Sequence, residues 1–368
     1  MKKNKKSKLK LAQDEAQAAI NECNKKIEVL GGYTNDLCVE LNNIQDIFDN
    51  IRNVPRDKKL KSEELKKIRL NWKQQAEKIE TDYKIATVKN AGTGVAGVGT
   101  GVAVVALGPS AAMGIATTFG VASTGTAIST LSGAAATNAA LAWLGGGAIA
   151  MGGGGMAAGN AFLALAGPIG WAIAGAAFLA SGLMFWKSAN DKKKIENIFS
   201  LISKRDVKSY NLAIVELNER TTRIKTEIAM LRKAIIKIKG FGTDYNIMTE
   251  TQQYELGSYL NLMLSSTQLL VNPITGLLPK FGDNEFDNYI SWNKRKASTT
   301  MCNKYKKAII SFANLLYKID LDKEDKRLLF KVFRKNKKML STLGLEKREF
   351  KIELIDAVEE ALSFSNSD

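Results

Sequence analysis

The chain has 368 residues, 45% of them hydrophobic, enough for two or three ordinary domains or one extended assembly. Its 53 Lys+Arg against 37 Asp+Glu leave a net charge of +16, and it has no histidine, which removes the commonest general base and the commonest metal ligand together. Cys23, Cys38 and Cys302 lie too far apart for a CxxC-type site, which argues against a disulfide framework and a structural zinc.

The N-terminus carries Lys2, Lys3, Lys5, Lys6, Lys8 and Lys10 before the first acid, Asp14, and reads as a solvated basic arm. No apolar h-region follows it, so the expectation is no signal peptide and a form that is first soluble in the cytoplasm. An apolar stripe then runs through Ala16, Ile20, Cys23, Ile27, Leu30, Thr34, Leu37, Leu41, Ile44, Phe48 and Ile51. Its alternating steps of four and three are the spacing of a coiled-coil seam. Gly31-Gly32 falls inside it and predicts a kink, and Pro55 ends it. Ser62 is the expected N-cap of a second helix striped by Leu65, Ile68, Trp72, Ile79 and Tyr83.

The main feature follows: from Asn90 to Trp186, 97 consecutive residues carry no Asp, Glu, Lys or Arg, and they hold 22 of the 30 glycines. Beyond them the stripe resumes at Ile195, Ile198 and Ile202, then Tyr210, Ile214, Leu217, Thr221, Ile224, Ile228, Leu231, Ile235 and Ile238. A helix over 207–239 would be about 50 Å long at 1.5 Å per residue. Gly240-Phe-Gly-Thr-Asp breaks it, and helices are expected near 249–271, 284–318, 324–341 and 346–364. Ser291 to Lys338 holds 15 basic and four acidic residues with interleaved aromatics, either a solvated face over an ordinary core or a surface for anionic lipid or nucleic acid. Few prolines and no sustained period-2 alternation make the fold all-α. Long amphipathic coiled-coil helices flank a Gly/Ala-rich hydrophobic helical hairpin region, with a C-terminal basic helical bundle. The expected division is 1–89, 90–186, 187–240 and 241–368.

Three readings compete for residues 90–186. A flexible linker would lack Val102, Val104, Val105, Leu107, Ile115, Phe119, Leu141, Trp143 and Leu144. A buried helix pair of a soluble domain would normally keep one polar face. Membrane insertion is favoured. Asn160 to Trp186 is 27 residues, against about 20 needed to cross a hydrocarbon core. Its candidate inserting residues are Phe162, Leu163, Leu165, Gly167, Pro168, Trp171, Ala174, Phe178, Leu179 and Trp186. Lys187, Lys192, Lys193 and Lys194 follow as candidate anionic-lipid ligands, because an aromatic followed by cations suits a lipid–water interface. Weaker candidate spans are Val102–Ala122, with Pro109 near its middle, and Ala134–Met151, which contains Trp143 and Leu144. Glycine and alanine add little transfer energy, which suits a block that stays soluble first and inserts later. Small residues four apart, such as Gly155/Gly159 and Ala166/Gly170/Ala174, let helix backbones approach closely in lipid.

No catalytic motif survives inspection. Gly92-Thr-Gly94-Val-Ala-Gly97 fits GxGxxG literally, but a poor strand precedes it and no acid occurs until Asp191. A non-enzymatic protein without cofactor or metal is expected.

The order of amphipathic helices, uncharged Gly/Ala block, long amphipathic helix and basic tail resembles the α-helical pore-forming toxins of the haemolysin E type. The string AAATNAALAWLGGGAIAMGGGGMAAGNAFLALAGPIGWAIAG is similar to the membrane-addressing regions of apolipoprotein L-like proteins, including bacterial relatives in conflict and phage-defence systems. The resemblance covers residues 60–240, is one of layout and composition, and carries over no single functional residue. It implies a pore-forming protein of bacterial defence or toxin action, with a lipid bilayer and further copies of itself as partners. A regulatory partner protein is left open, and nucleic acid is not expected. The alternatives are a cytosolic coiled-coil adaptor and a constitutive multi-span membrane protein.

Overall fold

The stripe that starts at Ala16 forms one helix, α1 (Lys8–Asp49), in a computed structural model that describes residues 8–91, 109–119, 188–277, 280–335, 340 and 343–365. Cys23, Ile27, Leu30, Thr34, Leu37, Leu41, Ile44, Phe48 and Ile51 are all buried along it. Gly31-Gly32 does not interrupt the helix; the reason for Gly31 is a neighbour described below. The second helix, α2 (Arg56–Ala91), begins directly after Pro55, earlier than expected. Ser62 therefore lies inside it, buried, and its hydroxyl accepts a hydrogen bond from Gln45 Nε2 at 2.7 Å. Pro109 is the first described residue of a helix, α3 (Pro109–Phe119), and the rest of the expected span Val102–Ala122 lies outside the described residues.

The helix of the far-side stripe starts before 207 and fills nearly all of 187–240. It is α4 (Ala189–Ile238), 50 residues and about 75 Å at 1.5 Å per residue, capped by the Ser188 hydroxyl, which accepts from the Asp191 amide. After the glycine-rich break comes α5 (Glu250–Val271), opened by a capping box in which Thr249 and Gln252 satisfy each other's backbone amides.

Helix directions follow from the pairings. Cys23 meets Tyr210, Lys225 lies over the Tyr33 ring, Arg232 pairs with Glu40, and Arg52 pairs with Thr243. The offset in number stays nearly constant along the two stripes, so α1 and α4 run parallel. Between α4 and α5 it is the sum that stays constant: Lys237 with Glu255, Glu227 with Ser265, and Arg220 with the Asn272 carbonyl. Those helices are antiparallel, as are α1 and α2, where Lys66 meets Asp49 and Arg69 meets Gln45. At the closed end Arg52 N–H donates to the Thr243 carbonyl at 2.9 Å and the Arg52 carbonyl accepts from Tyr245 N–H at 3.0 Å. Asn53, at φ 61°, adds a side-chain bond to Asp244 at 2.9 Å.

The C-terminal residues build a second core from α6 (Asp283–Ser291), α7 (Thr299–Lys304), α8 (Lys306–Leu316), α9 (Lys323–Lys335) and α10 (Ile352–Ser365). Phe281, Phe286, Tyr289, Phe312, Phe333 and Phe350 fill it, with Ile195, Ile198, Phe199 and Ile202 from the start of α4. The expected single helix over 284–318 is broken because Glu360 accepts the amides of Lys296 at 2.6 Å and Ala297 at 3.0 Å, while Arg295 turns back onto the carbonyls of Tyr289 and Ile290. Among the described residues there is no strand, and the fold is all-α.

Leu217 is fully buried on α4, whereas Val215, two residues away, is 62% exposed on the opposite face. Leu217→Ala is expected to cost about 2–5 kcal/mol and Val215→Ala less than about 0.5 kcal/mol, read from urea denaturation of the two variants.

Candidate functional site

The uncharged block enters the described structure as α3, and α3 sits between the amphipathic helices, packed on α1, α2 and α5. Ala112, Ile115 and Ala116 are buried in the same core as Ile27, Leu30, Leu65 and Trp72. The crossing with α1 is backbone to backbone. A β-carbon added at Gly31 would lie 1.6 Å from the Ser110 carbonyl oxygen, and one added at Gly114 would lie 2.0 Å from the Ile27 carbonyl oxygen. Glycine is required at both positions because no side chain can occupy that space. At the other end of α3 the Thr118 carbonyl accepts from Ile274 N–H at 2.7 Å.

Toward the closed end, α2 carries a polar network. Arg69 is 2% exposed, and its guanidinium donates to Gln45 Oε1 at 2.7 Å and Thr267 Oγ1 at 3.4 Å. Burial pushes the Arg69 pKa down to about 10, against the opposing pull of Cys38 and Asp49. Asp49, which pairs with Lys66 and accepts from Gln45 at 2.8 Å, is the nearest carboxylate in this network. Four buried atoms of α2 and α3 have no hydrogen-bond partner: Arg69 Nε, Trp72 Nε1, Thr117 Oγ1 and Thr118 Oγ1. A buried polar group left unpaired costs about 1–3 kcal/mol. The one large aliphatic side chain fully buried on α3, Ile115, contributes about 1.5–3 kcal/mol in the other direction.

Trp143, Leu144, Phe162, Leu163, Leu165, Gly167, Pro168, Trp171, Ala174, Phe178, Leu179 and Trp186 all lie outside the described residues, as does Lys187. Lys192 and Lys193 are exposed in the first turn of α4, and Lys192 lies 3.8 Å from Glu196. Lys194 is turned inward onto Asp322, at 3.5 Å, and Glu324. Among the described residues no helix is long and apolar enough to cross a membrane, and no cluster of His, Cys, Asp and Glu could hold a metal ion.

Where α4 passes from one core to the other, Asp206 is buried beside Arg205, which donates to its Oδ1 at 2.7 Å and 2.9 Å. Arg205 also donates to the carbonyls of Leu315 and Tyr317 at the end of α8, while Asp206 Oδ2 has no hydrogen-bond partner. Burial raises the Asp206 pKa from 3.8 to about 7, and Arg205 counters only part of that. Tyr210 and Cys23 face the same spot and carry no charge at neutral pH, burial pushing the Cys23 thiol up to about 12.

Sequence reasoning missed Gly31, Arg69, Gly114 and Asp206. Arg69 and Asp206 had a visible signal, since each stands four residues after an apolar stripe position, Leu65 and Ile202, and so falls on a buried face. Gly114 had none, being one glycine among many.

Two variants test the site. Gly31→Ala is expected to lower stability by about 1–3 kcal/mol through the clash with α3, whereas Gly32→Ala, with open space around it, raises stability by about 0.5–1 kcal/mol by removing a helical glycine. Chemical denaturation of the pair reads both. For Asp206 the folded chain favours the protonated acid, so the stability it contributes is fully present below pH 3.8 and lost as pH rises through about 7. Wild type should therefore lose melting temperature between pH 5 and pH 8 relative to Asp206→Asn, in matched thermal melts.

No protein-family model, curated protein or solved structure matches this chain.

Proposed function

We propose that the chain is a membrane-perforating, pore-forming protein of the kind used in bacterial defence or toxin action. Its amphipathic helices hold α3, a part of the uncharged block, against themselves and release it when the block enters a bilayer, where the protein assembles with other copies. The observation that supports this reading is the seat of α3. A helix drawn from a 97-residue stretch without charges is shielded by three amphipathic helices instead of lying on the surface, and it is short and small enough to withdraw. Residues 160–186 are the leading inserting segment. The basic arm, Lys193 and the cationic C-terminal helices meet anionic headgroups, each Lys or Arg near the surface being worth about 1 kcal/mol.

Release of a trapped dye from vesicles containing phosphatidylserine, on addition of purified protein, is the direct test. Leakage that rises with protein concentration supports the reading; a protein that neither binds nor permeabilises vesicles under any trigger refutes it. A protein that resists carbonate extraction from cell membranes at rest would instead be a constitutive span.

Ala174→Asp places a charge near the middle of 160–186. It is expected to oppose insertion by about 2.5–3.5 kcal/mol, roughly a hundredfold in population, while circular dichroism stays that of the wild type. A folded Ala174→Asp protein that leaks vesicles as fast as the wild type would show that 160–186 does not insert.

A further inference from the structure

Two of the partnerless atoms named above, the hydroxyls of Thr117 and Thr118, belong to α3 itself. Both threonines are fully buried. Threonine inside a helix usually returns its hydroxyl to the carbonyl four residues back, as Thr221 does to Leu217 at 2.8 Å, so two adjacent threonines that do not are a departure within this same chain. The α1–α4 pair is built differently. Its seam from Leu217 to Leu231 is apolar except for Thr34 and Thr221, whose hydroxyls donate to the carbonyls of Gly31 and Leu217, and its contacts of Arg232 with Glu40 and Arg52 with Thr243 are made at its edge and end.

We infer that the seat of α3 is a built-in release point, at which α3 leaves the bundle while the α1–α4 pair stays folded. Withdrawal lets the two threonine hydroxyls, carried out on α3 itself, regain water, so the polar residues of α3 favour the open state. On the other side, the crossing at Gly31 and Gly114 holds α3 through close backbone contact, which is lost all at once when the helices separate. The seat is thus closed by shape and opened by hydration, and a modest bias suffices to move it. The inference rests on the proposed function for its purpose, but not for its physics.

Hydrogen exchange of the full-length protein, read by mass spectrometry, tests it. In the wild type, amides of 109–119 should exchange at least tenfold faster than those of 217–231. The double variant Thr117→Val, Thr118→Val keeps the side-chain shape and removes both hydroxyls. It should slow exchange across 109–119 about tenfold, raise the melting temperature, and leave 217–231 unchanged. Thr118→Val alone should slow exchange at 109–119 in the same direction if the double variant does not fold. Equal protection of 109–119 and 217–231 in the wild type, or no added protection in either variant, overturns the release point. In the vesicle assay the double variant should leak dye about tenfold more slowly than the wild type. A wild type that never leaks, with the exchange results as expected, refutes the pore-forming reading and leaves the release point standing.

Discussion

The space beside Gly31 and Gly114 decides how this molecule is arranged. Two carbonyl oxygens, of Ser110 and Ile27, occupy positions where any other residue would carry its β-carbon, so α1 and α3 can meet only at these glycines. With α3 held there, α1 and α2 need not close on each other along their length. They touch at their hairpin end, and α3 fills the gap between them. The polar network of Gln45, Ser62 and Arg69 lies toward the closed end, where Thr267 of α5 joins it. The pair of glycines sets how α3, the described part of the uncharged block, meets α1.

The second organising element is α4, which belongs to both cores. Ile195, Ile198, Phe199 and Ile202 pack with the C-terminal aromatics, and from Tyr210 onward the same helix packs with α1. The switch falls at Arg205 and Asp206, where the guanidinium closes the end of α8 and the carboxyl is left half-satisfied in a dry site. A carboxyl at this position carries a desolvation cost that an apolar residue continuing the stripe would not, and burial favours its protonated form.

Much of the architecture was legible in the sequence because it is periodic. The four-three stripe from Ala16 to Ile51 and its counterpart from Tyr210 to Ile238 marked the buried faces of α1 and α4, except that Ala213 and Ala234 are buried where Ile214 and Ile235 were expected and those two are half-buried. What could not be read is what depends on distant partners. The loop that divides α6 from α7 looks helical locally and is bent by Glu360, more than sixty residues away. Ser62 has the chemistry of an N-cap, but Pro55 had already started the helix and Gln45 claimed the hydroxyl. Gly31 reads as a weakness in a helix and is instead a contact, which is visible only once Gly114 is placed beside it.

The parallel run of α1 and α4 has a topological consequence for the block between them. Since α2 runs back antiparallel to α1, it ends toward the same end of the bundle at which α4 begins, so the uncharged residues leave and rejoin the bundle on one side. Under the proposed function, with the bundle staying assembled on one face of a bilayer, both attachment points stay on that face as well. The block then has to traverse the membrane an even number of times, and a tag placed midway along it would become reachable from the far side only in pairs of crossings.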